Sequence, residues 1–138
     1  MNISKFTQKS VQAVQDLEKV AYEYGNQEVE QEHLLYALLT QEDSLILKLI
    51  EKMEINKDYF INTVKKALDA KVKVSGGDLR FGQYLNKSLV NAENEAKAMG
   101  DEYVSVEHLF LSLLTQPSPS MKKIFNEFGI TRERFLQA

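Results

Sequence analysis

The chain is written twice. Displaced by 75 residues, the sequence falls on itself without a gap, placing Phe6 on Phe81, Gly25 on Gly100, His33 on His108 and Phe60 on Phe135. Glu32/Glu107, Leu34/Leu109, Leu38/Leu113, Leu39/Leu114, Thr40/Thr115 and Gln41/Gln116 repeat in the same register. Other pairs, such as Val14/Leu89, Leu35/Phe110, Ile50/Phe125 and Met53/Phe128, keep apolar character, as duplicated core positions should. A unit of about 60 residues is marginal by itself, so the two copies are expected to share one core.

Each copy reads as four helices. In the first, Val11, Val14, Leu17, Ala21 and Tyr24 recur at spacings of three or four after Thr7, an N-cap residue, and before Gly25, a helix stop. The run Glu32 to Leu39 is apolar on most sides and predicts a short central helix enclosed by the others, matched by His108 to Leu114. A third helix follows Asp43 or Ser44 with the stripe Leu45, Ile46, Leu49, Ile50 and Met53, and Asn56 caps a fourth reaching about Ala70. In the second copy Tyr84 to Met99 is the first helix, Ser105 caps the central one, Gly129 ends the third and Thr131 caps the last. Apart from Val72-Lys-Val74 no stretch alternates, so strands are not expected. The fold class is all-α: two tandem, pseudo-twofold-related four-helix repeats packed as one domain over residues 1–138, with repeat one at 6–70, a linker at 71–80 and repeat two at 81–138.

The composition narrows the function classes. With 43% hydrophobic and 27% charged residues and a net charge of -3, the chain reads as an ordinary globular domain, without the basic footprint of a nucleic-acid binder. No run of about 18 apolar residues occurs and the opening carries no basic segment before an apolar core, so neither a membrane span nor export is expected. The absence of cysteine fits a reducing compartment, and two histidines cannot make a histidine-rich zinc site.

Catalytic chemistry finds no purchase. Gly76-Gly77 lacks the strand, the spacing and the Lys-Ser/Thr of a phosphate loop, and reads as flexible linker. The Glu-His pairs lack a second histidine, since Ala37 and Ser112 stand four residues on; each glutamate then favours the positive end of a helix and each histidine is a partly buried structural residue. No metal site and no enzyme activity are expected. Phe6, Phe81, Tyr84, Leu85 and Leu89 are core residues by default, although a cleft where the two first helices approach is a natural place for peptide capture.

Phe6-Thr-Gln-Lys-Ser, Tyr24-Gly-Asn-Gln-Glu-Val, Glu32-His-Leu-Leu-Tyr-Ala-Leu-Leu, Val74-Ser-Gly-Gly and Gly100-Asp-Glu-Tyr-Val-Ser-Val-Glu-His-Leu resemble, over the whole chain, the N-terminal domain of Clp ATPases. The linker and the Gly-Asp motif are more similar to the disaggregase branch, ClpB, than to the protease-partner branch, ClpC. The resemblance implies a mobile, non-catalytic, monomeric module on a cytoplasmic, hexameric ATPase ring. Its partners would be unfolded or aggregated polypeptides, the ATPase modules of the same parent and a DnaK-type chaperone, with no nucleic acid and no membrane. ATP and magnesium would belong to the ATPase modules; this chain would hold no cofactor. The family's substrate-handling positions fall on Thr7, Asp101 and Glu107. In the ClpC branch the same kind of residue recognises phosphorylated arginine, which points to Thr7 with Glu32 and to Glu107, with Gly82 standing where a second threonine belongs. Two readings follow: a substrate-binding domain of a disaggregase, or an adaptor-docking or phosphoarginine-recognising module of a Clp protease.

Overall fold

Short polar residues start the helices and left-handed residues stop them. In the computed structural model, which describes residues 3–138, α1 (Gln8–Tyr24) begins at Thr7, whose hydroxyl accepts the Ser10 N–H. It ends at Gly25, whose φ of 69° lets its N–H turn back onto the last carbonyls. α2 (Gln31–Leu39), α3 (Leu45–Lys52, capped by Ser44) and α4 (Lys57–Asp69, capped by Asn56) complete the first half. The second half repeats the order: α5 (Gln83–Ala98), α6 (Val106–Thr115), α7 (Pro119–Phe128, capped by Ser118) and α8 (Arg132–Gln137, capped by Thr131). The expected domain 1–138 thus includes Met1 and Asn2, which lie outside the described residues.

The two central helices make the core. Leu34, Leu35, Leu38 and Leu39 of α2 and Leu109, Phe110, Leu111 and Leu113 of α6 are buried, and α2 packs on α6 as well as on the helices of its own half. His33 and His108 are buried more deeply than the sequence suggests, at 0% and 3% exposure. Leu114, the last residue of the run His108 to Leu114 expected to be enclosed, is only half-buried, in the last turn of α6. In α1 the buried face is Ala13, Leu17, Val20 and Ala21, one position round from the expected stripe, and Val11, Val14 and Tyr24 lie on its edge. Leu45 and Tyr84 are exposed.

Two features cross between the halves. Contrary to the expectation of no strands, β1 (Glu28–Val29) pairs in parallel with β2 (Arg80–Phe81), with Val29 opposite Phe81, and Phe6 forms the matching bridge with Val104. The hydrogen bonds obey the same 75-residue exchange: Thr7 N–H donates to Val104 O at 3.0 Å and Gly82 N–H donates to Val29 O at 2.8 Å. Strands of two residues are too short to leave an alternating pattern. The first helices, moreover, cross to the opposite central helix: α1 packs on α6 and α5 on α2. The expected cleft between first helices is therefore replaced by two seams, one on each side of the pseudo-twofold.

Gly76 and Gly77 adopt left-handed conformations between α4 and β2. The segment before them is held down: Asn26 Nδ2 donates to Val72 O at 3.0 Å and Val74 N–H donates to Gly25 O at 2.9 Å.

Candidate functional site

The seam between α1 and α6 brings Thr7 and Glu107 together across 100 residues of sequence. They line one cavity of about 210 Å³ with Leu45, Val106, Lys9, Gln41, Asp43 and Ser105. Thr7 stands there because its backbone N–H is tied to Val104, at the chain's approach to α6. Its hydroxyl accepts the Ser10 N–H at 3.2 Å and donates to Ser10 Oγ at 3.1 Å, and Ser10 Oγ in turn donates to Val104 O at 2.9 Å. The hydroxyl is thereby oriented, with one lone pair left for a ligand. Glu107, half-buried in the first turn of α6, faces the positive end of that helix. On the rim, Lys48 binds Asp43 at 2.6 Å, and that hydrogen bond holds the Asp43 carboxyl below its usual pKa.

Asp101 lies on the other side of the Phe6–Val104 bridge. It lines a second cavity of about 400 Å³ with Lys5, Glu93, Ala96, Lys97, Glu102 and Val104. Its Oδ2 accepts the Nε2 proton of His108 at 2.8 Å, while His108 Nδ1 accepts the Ser105 N–H at 2.9 Å. Asp101 and Glu107 thus flank the start of α6, but they open onto different cavities, and Thr7 shares only that of Glu107.

Glu32 occupies a sealed version of the Glu107 position. It is 1% exposed, lies 3.3 Å from Lys71 Nζ and accepts the hydroxyl proton of Ser120, the residue 75 positions beyond Leu45. Lys71 also meets Glu30 at 2.8 Å. Burial opposes the Lys71 charge, but the hydrogen bond to Glu30 and the charge of Glu32 outweigh it and hold its pKa above the ordinary lysine value. Gly82, the counterpart of Thr7, is closed in as well, since a Cβ there would stand 2.9 Å from Glu28 Oε1. Thr7 therefore meets Glu107 of the other half, while Glu32 is engaged by Lys71 and Ser120. Neither Lys71 nor Ser120 was legible as a site residue, because both reach Glu32 only through the packing of the halves.

Among the described residues no cluster of acids and histidines could hold a metal ion, and no helix is long and apolar enough to cross a membrane. The open cavity offers a hydroxyl, a carboxylate and apolar walls, groups that hold a ligand and orient it.

Comparison with known proteins adds an independent line. Residues 5–128 match the family model described as the Clp repeat (R) N-terminal domain. The chain is 39% identical over 142 residues to the chaperone protein ClpB of Nitratidesulfovibrio vulgaris and 40% identical over 141 residues to ClpB of Clostridium tetani. Each alignment covers 99% of this chain and 16% of the relative, so the chain spans about a sixth of the length of these curated relatives. Among solved structures, the Hsp104 N-terminal domain from Candida albicans superposes with a TM-score of 0.83 at 21% identity, covering 97% of this chain and 88% of that one. The ClpV N-domain in complex with a VipB peptide superposes with a TM-score of 0.69 at 20% identity, covering 91% of this chain and 80% of that one.

Proposed function

The chain belongs to the Clp repeat N-terminal domain family, found at the head of AAA+ ATPases, and from that membership we propose that it engages unfolded or aggregated polypeptides for a ClpB-type disaggregase. The observation that carries this reading is the open cavity in which Thr7 of one half meets Glu107 of the other. Apolar burial against Leu45 and Val106 supplies the affinity, and the two polar groups orient an extended segment through its backbone. Such binding is weak, broad in sequence and modestly dependent on salt. The parent is a cytoplasmic hexamer working with a DnaK-type chaperone, and this module delivers polypeptide to its ring. The peptide-bound ClpV N-domain supports a peptide ligand for this fold.

The second reading is an adaptor-docking or phosphoarginine-recognising module of the ClpC type, using Thr7, Glu32 and Glu107. The engagement of Glu32 by Lys71 and Ser120 and the enclosure of Gly82 weigh against a pair of equivalent anion sites. Titrating the isotope-labelled domain with an unfolded polypeptide and with phosphoarginine, at two salt concentrations, separates the readings. The disaggregase reading expects amide shifts around Thr7 and Glu107 from the polypeptide, reduced in Thr7→Ala and Glu107→Ala. Salt-sensitive shifts from phosphoarginine alone support the ClpC reading, and silence at these residues from both ligands overturns the site.

A further inference from the structure

The first half of this molecule holds an extended segment of its own chain. After α4, residues 71–74 run along the end of α1. Val74 N–H donates to Gly25 O at 2.9 Å, Asn26 Nδ2 donates to Val72 O at 3.0 Å, and the Lys73 ammonium donates to Tyr24 O at 2.5 Å while standing 5.6 Å from the centre of the Tyr24 ring.

Each of these anchoring positions recurs 75 residues on, as Met99, Gly100 and Asp101 for Tyr24, Gly25 and Asn26. The turns are alike in detail. Gly25 and Gly100 have φ of 69° and 74°, Asn26 N–H closes onto Ala21 O at 2.9 Å and Asp101 N–H onto Ala96 O at 2.8 Å. Arg80 beside the first turn is matched by Lys5 beside the second, and Gln27 by Glu102. Among the described residues, however, no extended segment lies over Gly100: a Cβ at Gly25 would meet Lys73 Cδ at 3.5 Å, while one at Gly100 would meet nothing within 4 Å, and the 400 Å³ cavity lies beside that open turn, at Asp101 and Glu102.

We propose that the turn Met99–Glu102 binds an extended polypeptide segment in the way that Tyr24–Gln27 holds Lys71–Val74, and that it selects segments in which a lysine or arginine alternates with aliphatic residues. The inference rests on the substrate-engaging reading and specifies its ligand. The carbonyls of Met99 and Gly100 are acceptors, as those of Tyr24 and Gly25 are. The change from Asn26 to Asp101 removes the donor that meets a backbone carbonyl in the first half and puts a carboxylate in its place. His108 occupies Oδ2, leaving Oδ1 to accept. A segment seated on Met99, Gly100 and Asp101 therefore meets acceptors, which backbone N–H groups and a cationic side chain satisfy, and on the cavity wall the carboxylates of Glu93, Asp101 and Glu102 outnumber the ammonium groups of Lys5 and Lys97.

The probe is the blocked hexapeptide Ala-Lys-Val-Lys-Val-Ser, a copy of residues 70–75, titrated into the labelled domain beside Ala-Glu-Val-Glu-Val-Ser and an unfolded polypeptide. The lysine peptide is expected to shift the amides of Met99 to Glu102, to bind roughly fivefold more tightly than the glutamate peptide at low salt, and to weaken in Glu102→Lys, which leaves the Asp101–His108 contact in place. Equal binding of the two peptides, or shifts confined to other surfaces, overturns the inference. An unfolded polypeptide that perturbs Thr7 and Glu107 but not Met99 to Glu102 also overturns it while leaving the substrate-engaging function standing. Silence at both surfaces removes both.

Discussion

Asp101 accepts a hydrogen bond from His108 at 2.8 Å, and in the other half Asn26 takes the equivalent bond from His33 at 2.9 Å. In both halves the opposite ring nitrogen accepts the backbone N–H of the residue before the helix, Glu30 or Ser105. That second bond leaves Nε2 to carry the proton given to Asn26 or Asp101, so each ring works as a buried brace between the α1 or α5 turn and the following central helix.

Burial, with the nearby Lys71 charge as the next cause, pushes the His33 pKa down to about 4. The unfolded side chain titrates near 6.5. Between those values the unfolded chain binds a proton that the folded chain does not, so stability is complete above about pH 6.5 and declines as the pH falls toward 4. Urea unfolding at pH 7.5, 5.5 and 4.5, in the native chain and in His33→Gln, should show the variant lacking this part of the pH dependence. Parallel pH profiles for the two proteins would contradict it.

Leu39 is 1% exposed at the end of α2, in the shared core. Leu39→Ala should lower the unfolding free energy by about 2 to 5 kcal/mol, through lost transfer energy and the cavity left behind. A loss under about 1 kcal/mol in chemical denaturation would show that α2 is not the enclosed helix.

Glu54 has φ of 62° just past α3, where Gly129 ends α7 at 64°. A side chain pays a steric cost in that conformation that glycine does not, so Glu54→Gly should raise stability by about 0.5 to 1 kcal/mol despite the greater freedom of the unfolded chain. Thermal and urea midpoints check the sign; a lower midpoint would mean that the Glu54 side chain relieves the strain locally.

Lys71→Met leaves Glu32 buried with Ser120 as its remaining side-chain partner and with its charge uncompensated. The expected loss is about 1.5 to 3 kcal/mol, and Glu32→Gln in the same chain should recover part of it by removing the stranded charge. Additive losses in the double variant would show that the pair does not interact.

Much of this was written in the chain in readable form. The 75-residue register, the caps Thr7, Ser44, Asn56 and Thr131, and the stops Gly25 and Gly129 depend on local geometry, and each stands where its residue type requires. What was not readable depends on how the halves dock. The pairing of Val29 with Phe81 lies in strands of two residues, too short to leave an alternating pattern. The cavity shared by Thr7 and Glu107 exists only because α1 crosses to α6. Ser120 and Lys71, which seal Glu32, look like ordinary surface residues until the second half is set against the first.

The paired strips, Phe6 with Val104 and Val29 with Phe81, have the form of an isologous dimer contact in which one covalent chain supplies both subunits. Residues 71–79 therefore act as a tether that turns a bimolecular encounter into an intramolecular one, at an effective concentration set by its short length. Severed in that stretch, the halves would have to find each other in solution, and the Thr7–Glu107 cavity would become a property of their concentration rather than of either half.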